Sequence, residues 1–204
     1  YRNTKFTFRV LDSAVVNAFA LPGGYVYVTR GLLAHLENEA QLAVVLGHEI
    51  GHVAARHSAQ QARRSQWGQI GVIAGAILGQ KVLGEKAPDL APTLLNVGSQ
   101  AMQTFLLRYS REAENEADTL GVGYATRAGY AAGESARFFQ ALQRLSATEG
   151  KALPTWQSTH HDPGNRAVHV RQLAAVPTAG RAAPNVGEDE LLRHLEGIVV
   201  GEDP

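Results

Sequence analysis

"VLGHEIGHVAARH", Val45–His57, sets two histidines four residues apart with a glutamate beside the first. Leu42, Val45, Leu46, Ile50 and Val53 follow the spacing of one helix face, and Asn38 with Gln41 makes a capping box at its start. The quoted motif is therefore predicted to lie well inside a helix. Side chains four apart on a helix project from one face, so the imidazoles of His48 and His52 can meet on one ion at about 2.0–2.1 Å. Glu49 projects about a hundred degrees further round, where it is poorly placed as a third ligand but well placed to take a proton from water. Gly47 and Gly51 flank the pair and leave room for another segment to approach. His35 and His57 read as ordinary helix-surface histidines. A bare His-Glu-x-x-His string is weak evidence alone, since a catalytic zinc site needs a third protein ligand and an open fourth position.

A second constellation supplies the candidate for that ligand. "YSREAENEADTLG", Tyr109–Gly121, falls in a helix expected from about Arg108 to Ala128 and ending near Gly129. Glu114 and Asp118 are again four apart. Two readings of this acidic stretch stand side by side. It is a solvated face that keeps the protein soluble, or Glu114 completes a metal site and Asp118, one turn on, accepts a hydrogen bond from the far nitrogen of a ligating histidine.

The rest of the chain is consistent with a folded domain. Its 204 residues are 45 % hydrophobic and 19 % charged, enough for one good core. Nineteen basic residues balance nineteen acidic ones, which argues against nucleic acid as a partner. With no cysteine, disulfides and thiolate ligands are excluded and any zinc must be held by His, Asp or Glu. "KFTFRVL" and "YVYVTR" alternate as strands do, and Pro22-Gly23-Gly24 is a turn signal, so a small antiparallel sheet is expected before the helix. Gly68–Leu83 is apolar and glycine-rich but too short and too polar at its ends for a membrane span, and reads as a helical hairpin packed with Thr93–Leu107. Further helices are expected at Gly133–Glu149 and after the loop Pro154–Asn165, ending near Ala175. Residues 177–188 are rich in Pro, Gly and Ala and read as a linker, with a short helix at Asp189–Glu196. This gives a domain over 1–176 and, over 177–204, a linker with the start of a C-terminal extension. The first residue is not Met and no apolar leader follows it, so a removed leader or anchor is expected.

Taken together, these segments resemble the family of zinc metallopeptidases that includes the CAAX prenyl endopeptidase, HtpX and BepA. "VNAFALPGGYVYVTRGLL" (Val16–Leu33) resembles the strand pair before its active-site helix, "HEIGH" its zinc helix, and "SREAENEAD" (Ser110–Asp118) its glutamate helix. "STHHDPGNR" (Ser158–Arg166) resembles a loop in which relatives carry a histidine followed by proline and, a few residues on, an arginine. The resemblance implies an α+β, mostly helical gluzincin core with a small antiparallel sheet lining the cleft. It implies one Zn2+ per chain held by His48, His52 and Glu114, Asp118 behind the ligands, and Glu49 as general base. His160 stands where relatives of the BepA kind cap the zinc and hold the enzyme latent. The family's proline is replaced by His161, so either histidine is a candidate cap, and His160 or Arg166 can alternatively face the substrate and stabilise an oxyanion.

The activity so implied is endopeptidase cleavage of extended or misfolded envelope proteins, with the polypeptide bound as an added strand along Asn17, Ala18, Phe19 and Ala20. The implied location is the bacterial periplasm or cell envelope, free or membrane-associated, with envelope or outer-membrane assembly proteins as further partners and no transmembrane segment in this chain. A rival of another class is a chaperone-like or binding module whose zinc is permanently capped and non-catalytic.

Overall fold

The computed structural model describes residues 4–61, 63, 109–149, 160, 163–175 and 183–197. The chain divides into two compact units, Tyr1–Ala55 with Arg108–Pro204, and Arg56–Leu107. All elements below belong to the first unit. The expected hairpin of Gly68–Leu83 with Thr93–Leu107 lies outside the described residues. His57, in the second unit, is buried and so departs from the expected surface position.

The fold is mostly helical with one small sheet, as expected. Strands β1 (Thr7–Leu11), β2 (Ala18–Leu21) and β3 (Tyr25–Thr29) form it in the order β1-β3-β2. Gly23 and Gly24 turn β2 into β3 with φ of 98° and 91°, a conformation open to glycine at little cost, and the two strands pair antiparallel. β1 departs from a wholly antiparallel sheet: it joins β3 in parallel, Phe8 opposite Val26 and Val10 opposite Val28. The reason is topological. β1 is not the hairpin partner of β3; the connection 12–17 and β2 intervene, so the chain enters β1 and β3 in the same direction.

Thr29 ends the sheet and starts the next element, accepting from Leu32 N as N-cap of α1 (Arg30–Leu33). Asn38 caps α2 (Glu39–Ala54), accepting from Gln41 N, while Gln41 Oε1 accepts from Glu37 N one residue earlier than a standard capping box. Ser110 caps α3 (Arg111–Arg127), and Gly129, at φ 94°, follows its end. A 3-10 turn at Ala132–Glu134 leads into α4 (Ser135–Glu149); α5 (Pro163–Ala174) and α6 (Glu188–Leu195) complete the described elements.

One core joins them: Ala18 and Val28 from the sheet, Val44 and Val45 from α2, Val122 and Ala125 from α3, Phe138, Phe139 and Leu142 from α4, Val170 from α5. Leu191 of α6 reaches the same core, and Asn185 bridges Tyr130, so residues beyond 177 also pack on this unit. No helix among the described residues is long and apolar enough to cross a membrane.

Candidate metal centre

The two helices that carry the histidines and the acidic pair are pressed together by glycine. A Cβ on Gly47 would lie 2.8 Å from Gly121 O, and one on Gly121 would lie 2.7 Å from His48 N, both closer than atoms can approach. Gly51 sits nearly as tightly against Ala117. Backbone contact at these points brings the inner face of α3 under the histidines of α2. Of its acidic residues only Glu114 and Asp118 are buried on that face, whereas Glu112 and Glu116 are exposed. The solvated face of the stretch is therefore that of Glu112 and Glu116, while Glu114 and Asp118 turn inward toward the histidines of α2.

His48, His52, Glu114 and His160 place one donor atom each within 4.8 Å of one another, all buried. Four donors at about 2.05 Å on a tetrahedral ion would be about 3.3 Å apart. The separations bracket that figure. His48 Nε2 is 2.9 Å from His52 Nε2, 3.3 Å from His160 Nδ1 and 3.6 Å from Glu114 Oε2. Glu114 Oε1 is 3.4 Å from His52 Nε2 and 3.0 Å from His160 Nδ1. Across the cluster three buried carboxylates, Glu49, Glu114 and Asp118, face one guanidinium, Arg166. A divalent cation offsets the charge this leaves when the imidazoles are neutral. Donor types, spacing and charge all fit a bound metal ion.

Behind the donors lies a buried support. His48 Nδ1 is 2.8 Å from Asp118 Oδ1, and the hydrogen belongs on the imidazole because an ionised carboxylate only accepts. That leaves the His48 Nε2 lone pair pointing at the cluster. Arg166 donates to Asp118 through Nε at 3.0 Å and through Nη2, its Nη2 is also 3.0 Å from His48 Nδ1, and its Nη1 is 3.5 Å from Glu114 Oε2. Its guanidinium lies 4.4 Å above the Phe139 ring. Tyr109 stacks on His52 with ring centroids 4.0 Å apart. Tyr109 and Phe139 both escape a reading of the sequence, though Tyr109 sits directly before the cap of α3.

Environment sets the protonation states. Burial alone would push Asp118 up, but the charge of Arg166 and hydrogen bonds from His48 and Arg166 hold its carboxyl well below the usual range. Glu114 is likewise held low against burial, by His160 and His52. Burial lowers His52 well below the ordinary imidazole value. Burial would lower His160 too, but Glu114 and Glu49 overcome it and raise the value. Glu49 is raised by burial, with His160 and His48 pulling the other way. Its Oε1 is buried, has no hydrogen-bond partner, and lies 3.7 Å from His160 Nε2.

The structure thus brings His48, Glu49, His52, Glu114, Asp118, His160 and Arg166 into one cluster. His161 lies outside the described residues. Ala18, Phe19 and Ala20 lie in β2, with Asn17 directly before it, on the sheet, which packs on α2.

A model of peptidase family M48 matches residues 1–174. The chain is 34 % identical over 187 residues to the putative beta-barrel assembly-enhancing protease of Vibrio cholerae, covering 90 % of this chain and 37 % of that protein. It is 36 % identical to the mitochondrial metalloendopeptidase OMA1 of Arabidopsis thaliana, covering 83 % of this chain and 32 % of the relative. With the beta-barrel assembly-enhancing protease of Escherichia coli it shares 30 % identity over 83 % of this chain and 36 % of the other. The chain spans about a third of the length of these relatives.

Proposed function

This chain belongs to peptidase family M48, and from that premise we propose that it is a zinc endopeptidase whose free form is held latent by His160. The observation that carries the reading is the pairing of a four-donor cluster with the buried, unpartnered oxygen of Glu49 next to it.

His48, His52 and Glu114 would hold the ion, in this proposal. A zinc ion there supplies Lewis acidity to a water and to the scissile carbonyl. Glu49 accepts the proton of the attacking water and delivers it to the leaving amine, and burial, which raises its carboxyl, favours its taking up that proton. Asp118 fixes the His48 tautomer, and Arg166 holds Asp118 in place. The peptide lies along Asn17–Ala20. β2 pairs only with β3 among the described residues, which leaves its other edge for strand addition, and buried Asn17 Oδ1 has no partner of its own. His160 occupies the fourth donor position, so substrate must displace it. We assign the peptidase domain to residues 1–176.

We place its substrates among envelope proteins of a bacterium. The Vibrio cholerae relative is named for enhancing beta-barrel assembly, and a chain without cysteine suits an oxidising compartment. The four-donor geometry also favours a second reading, a binding module with a closed metal site.

Casein cleavage by metal-quantified wild type, Glu49→Gln and His160→Ala separates the two. The latent peptidase predicts higher activity in His160→Ala, abolished when Glu49→Gln is added, with zinc retained in both. No cleavage by any zinc-loaded form, together with unchanged zinc affinity in His160→Ala, would favour the closed module.

A further inference from the structure

The sheet that packs on α2 has a second face with no part in the cluster. The register puts Thr7, Tyr25 and Leu21 in one row across the strands and Arg9, Tyr27 and Phe19 in the next, on the side opposite buried Val26 and Val28. Phe19 and Tyr27 stack with centroids 5.1 Å apart. The β2–β3 turn, Leu21-Pro22-Gly23-Gly24-Tyr25, carries no charge, and Leu21 and Tyr25 at its base are exposed. Phe8 and Val10, on the edge strand β1, are exposed as well, but in the register of Val26 and Val28 and so on the other side of the sheet.

Charge follows the same division. Residues 1–36 hold four of the nineteen basic residues and one of the nineteen acidic ones, a net +3. The remainder therefore carries fifteen against eighteen, a net −3. The single acid, Asp12, pairs with Arg30, which leaves Lys5 and Arg9 exposed beside the aromatic rows. None of the three described strands and no residue of the β2–β3 turn carries an acidic side chain.

We propose that the outer face of this sheet, with its apolar β2–β3 turn leading, is a docking surface for an anionic lipid bilayer. Aromatic rings with polar tips, aliphatic side chains and snorkelling Lys and Arg are the combination that partitions into the headgroup region. Area argues against the alternatives. Three strands about 4.8 Å apart and five residues long offer about 14 by 17 Å, roughly 240 Å², against about 800 Å² per partner in a stable protein interface. A reversible interfacial contact needs far less surface than a dimer.

The test is sedimentation of the whole chain with phosphatidylcholine vesicles, alone or mixed with phosphatidylglycerol, a readout independent of peptidase activity. Wild type is expected to bind only the mixed vesicles and to release as salt is raised. Leu21→Ser with Tyr25→Ser, and separately Lys5→Glu with Arg9→Glu, are each expected to weaken binding about tenfold or more. Val168→Ser with Leu192→Ser, which alters exposed apolar residues elsewhere, should bind as wild type. Circular dichroism melts identify any variant that fails to fold, and the charge-reversal pair, which removes no apolar contact, then carries the test. The proposal is overturned if wild type ignores the mixed vesicles, or if both sheet variants bind them undiminished. It is equally overturned if polyglutamate binds this face in place of vesicles, or if the sheet variants abolish a self-association of wild type instead.

Discussion

Changing Asp118 to Asn keeps the shape of the support behind the metal centre but removes the charge that His48 and Arg166 both donate to. The amide can present its NH2 group to His48, so the tautomer that aims Nε2 at the ion is no longer enforced. Zinc affinity is expected to fall about 10–100-fold, measured by competition with a chelator of known affinity. Arg166→Met tests the same pair from the other side. It keeps contact with Phe139 but leaves the Asp118 carboxylate buried opposite a neutral side chain, and should destabilise the fold by about 3–5 kcal/mol in urea melts. Combining it with Asp118→Asn should cost clearly less than the sum of the two, because the double variant no longer strands a charge. Additive costs would mean that the pair does not act as a unit.

Among the elements, the α2–α3 contact decides whether a centre exists. Gly121→Ala would push a methyl group into the α2 backbone at Gly47 and His48, where there is no flexible side chain to give way. Overpacking of this kind costs about 1–3 kcal/mol. Because Glu114 and Asp118 ride on the displaced helix, zinc affinity should fall along with the melting temperature. Gly129→Ala makes the contrast: its added Cβ meets nothing within 4 Å, so the strain at φ 94° lowers stability and leaves zinc affinity unchanged. Such elements were legible where the signal was local. Asn38 and Gly129 mark helix ends through their own capping chemistry, and His48, Glu49 and His52 declare themselves by helical spacing, whereas the Ser110 cap of α3 lies past the expected start at Arg108. What depended on distant segments was less so. The burial of Glu114 and Asp118 but not of Glu112 and Glu116 follows from which face of α3 meets α2, and no spacing within α3 reveals that. The parallel pairing of β1 follows from the path of residues 12–17. Phe139 under Arg166 and Tyr109 on His52 join residues far apart in the chain, and neither side chain announces its partner.

For the molecule as a whole, the centre couples metal, protons and stability. Zinc at a hundredfold excess over its Kd should add about 2.7 kcal/mol, so chelation at neutral pH should lower the urea midpoint measurably. Without metal, the buried groups respond to acid in opposite senses. His52 is held below its ordinary value, so its contribution is present above about 6.5 and lost as pH falls. His160 and Glu49 are raised, so their protonated forms are favoured in the fold: the gain from His160 is complete below about 6.5, and that from Glu49 builds as pH falls toward about 4.3. Acidification therefore removes the share of His52 while it adds those of His160 and Glu49. Glu114 and Asp118 are held low, so their contribution persists until pH drops below about 4 and is then lost without compensation. With zinc present, protons compete for His48 and His52, and the metal's share of the stability should disappear through the histidine range. Urea midpoints measured from about pH 8 to 3, with zinc and with chelator, should therefore start apart, converge near pH 5 and fall together below pH 4. A gap that persists below pH 5 would mean that the ion is not held through the histidines, and curves that coincide at neutral pH would mean that the cluster is stable without it.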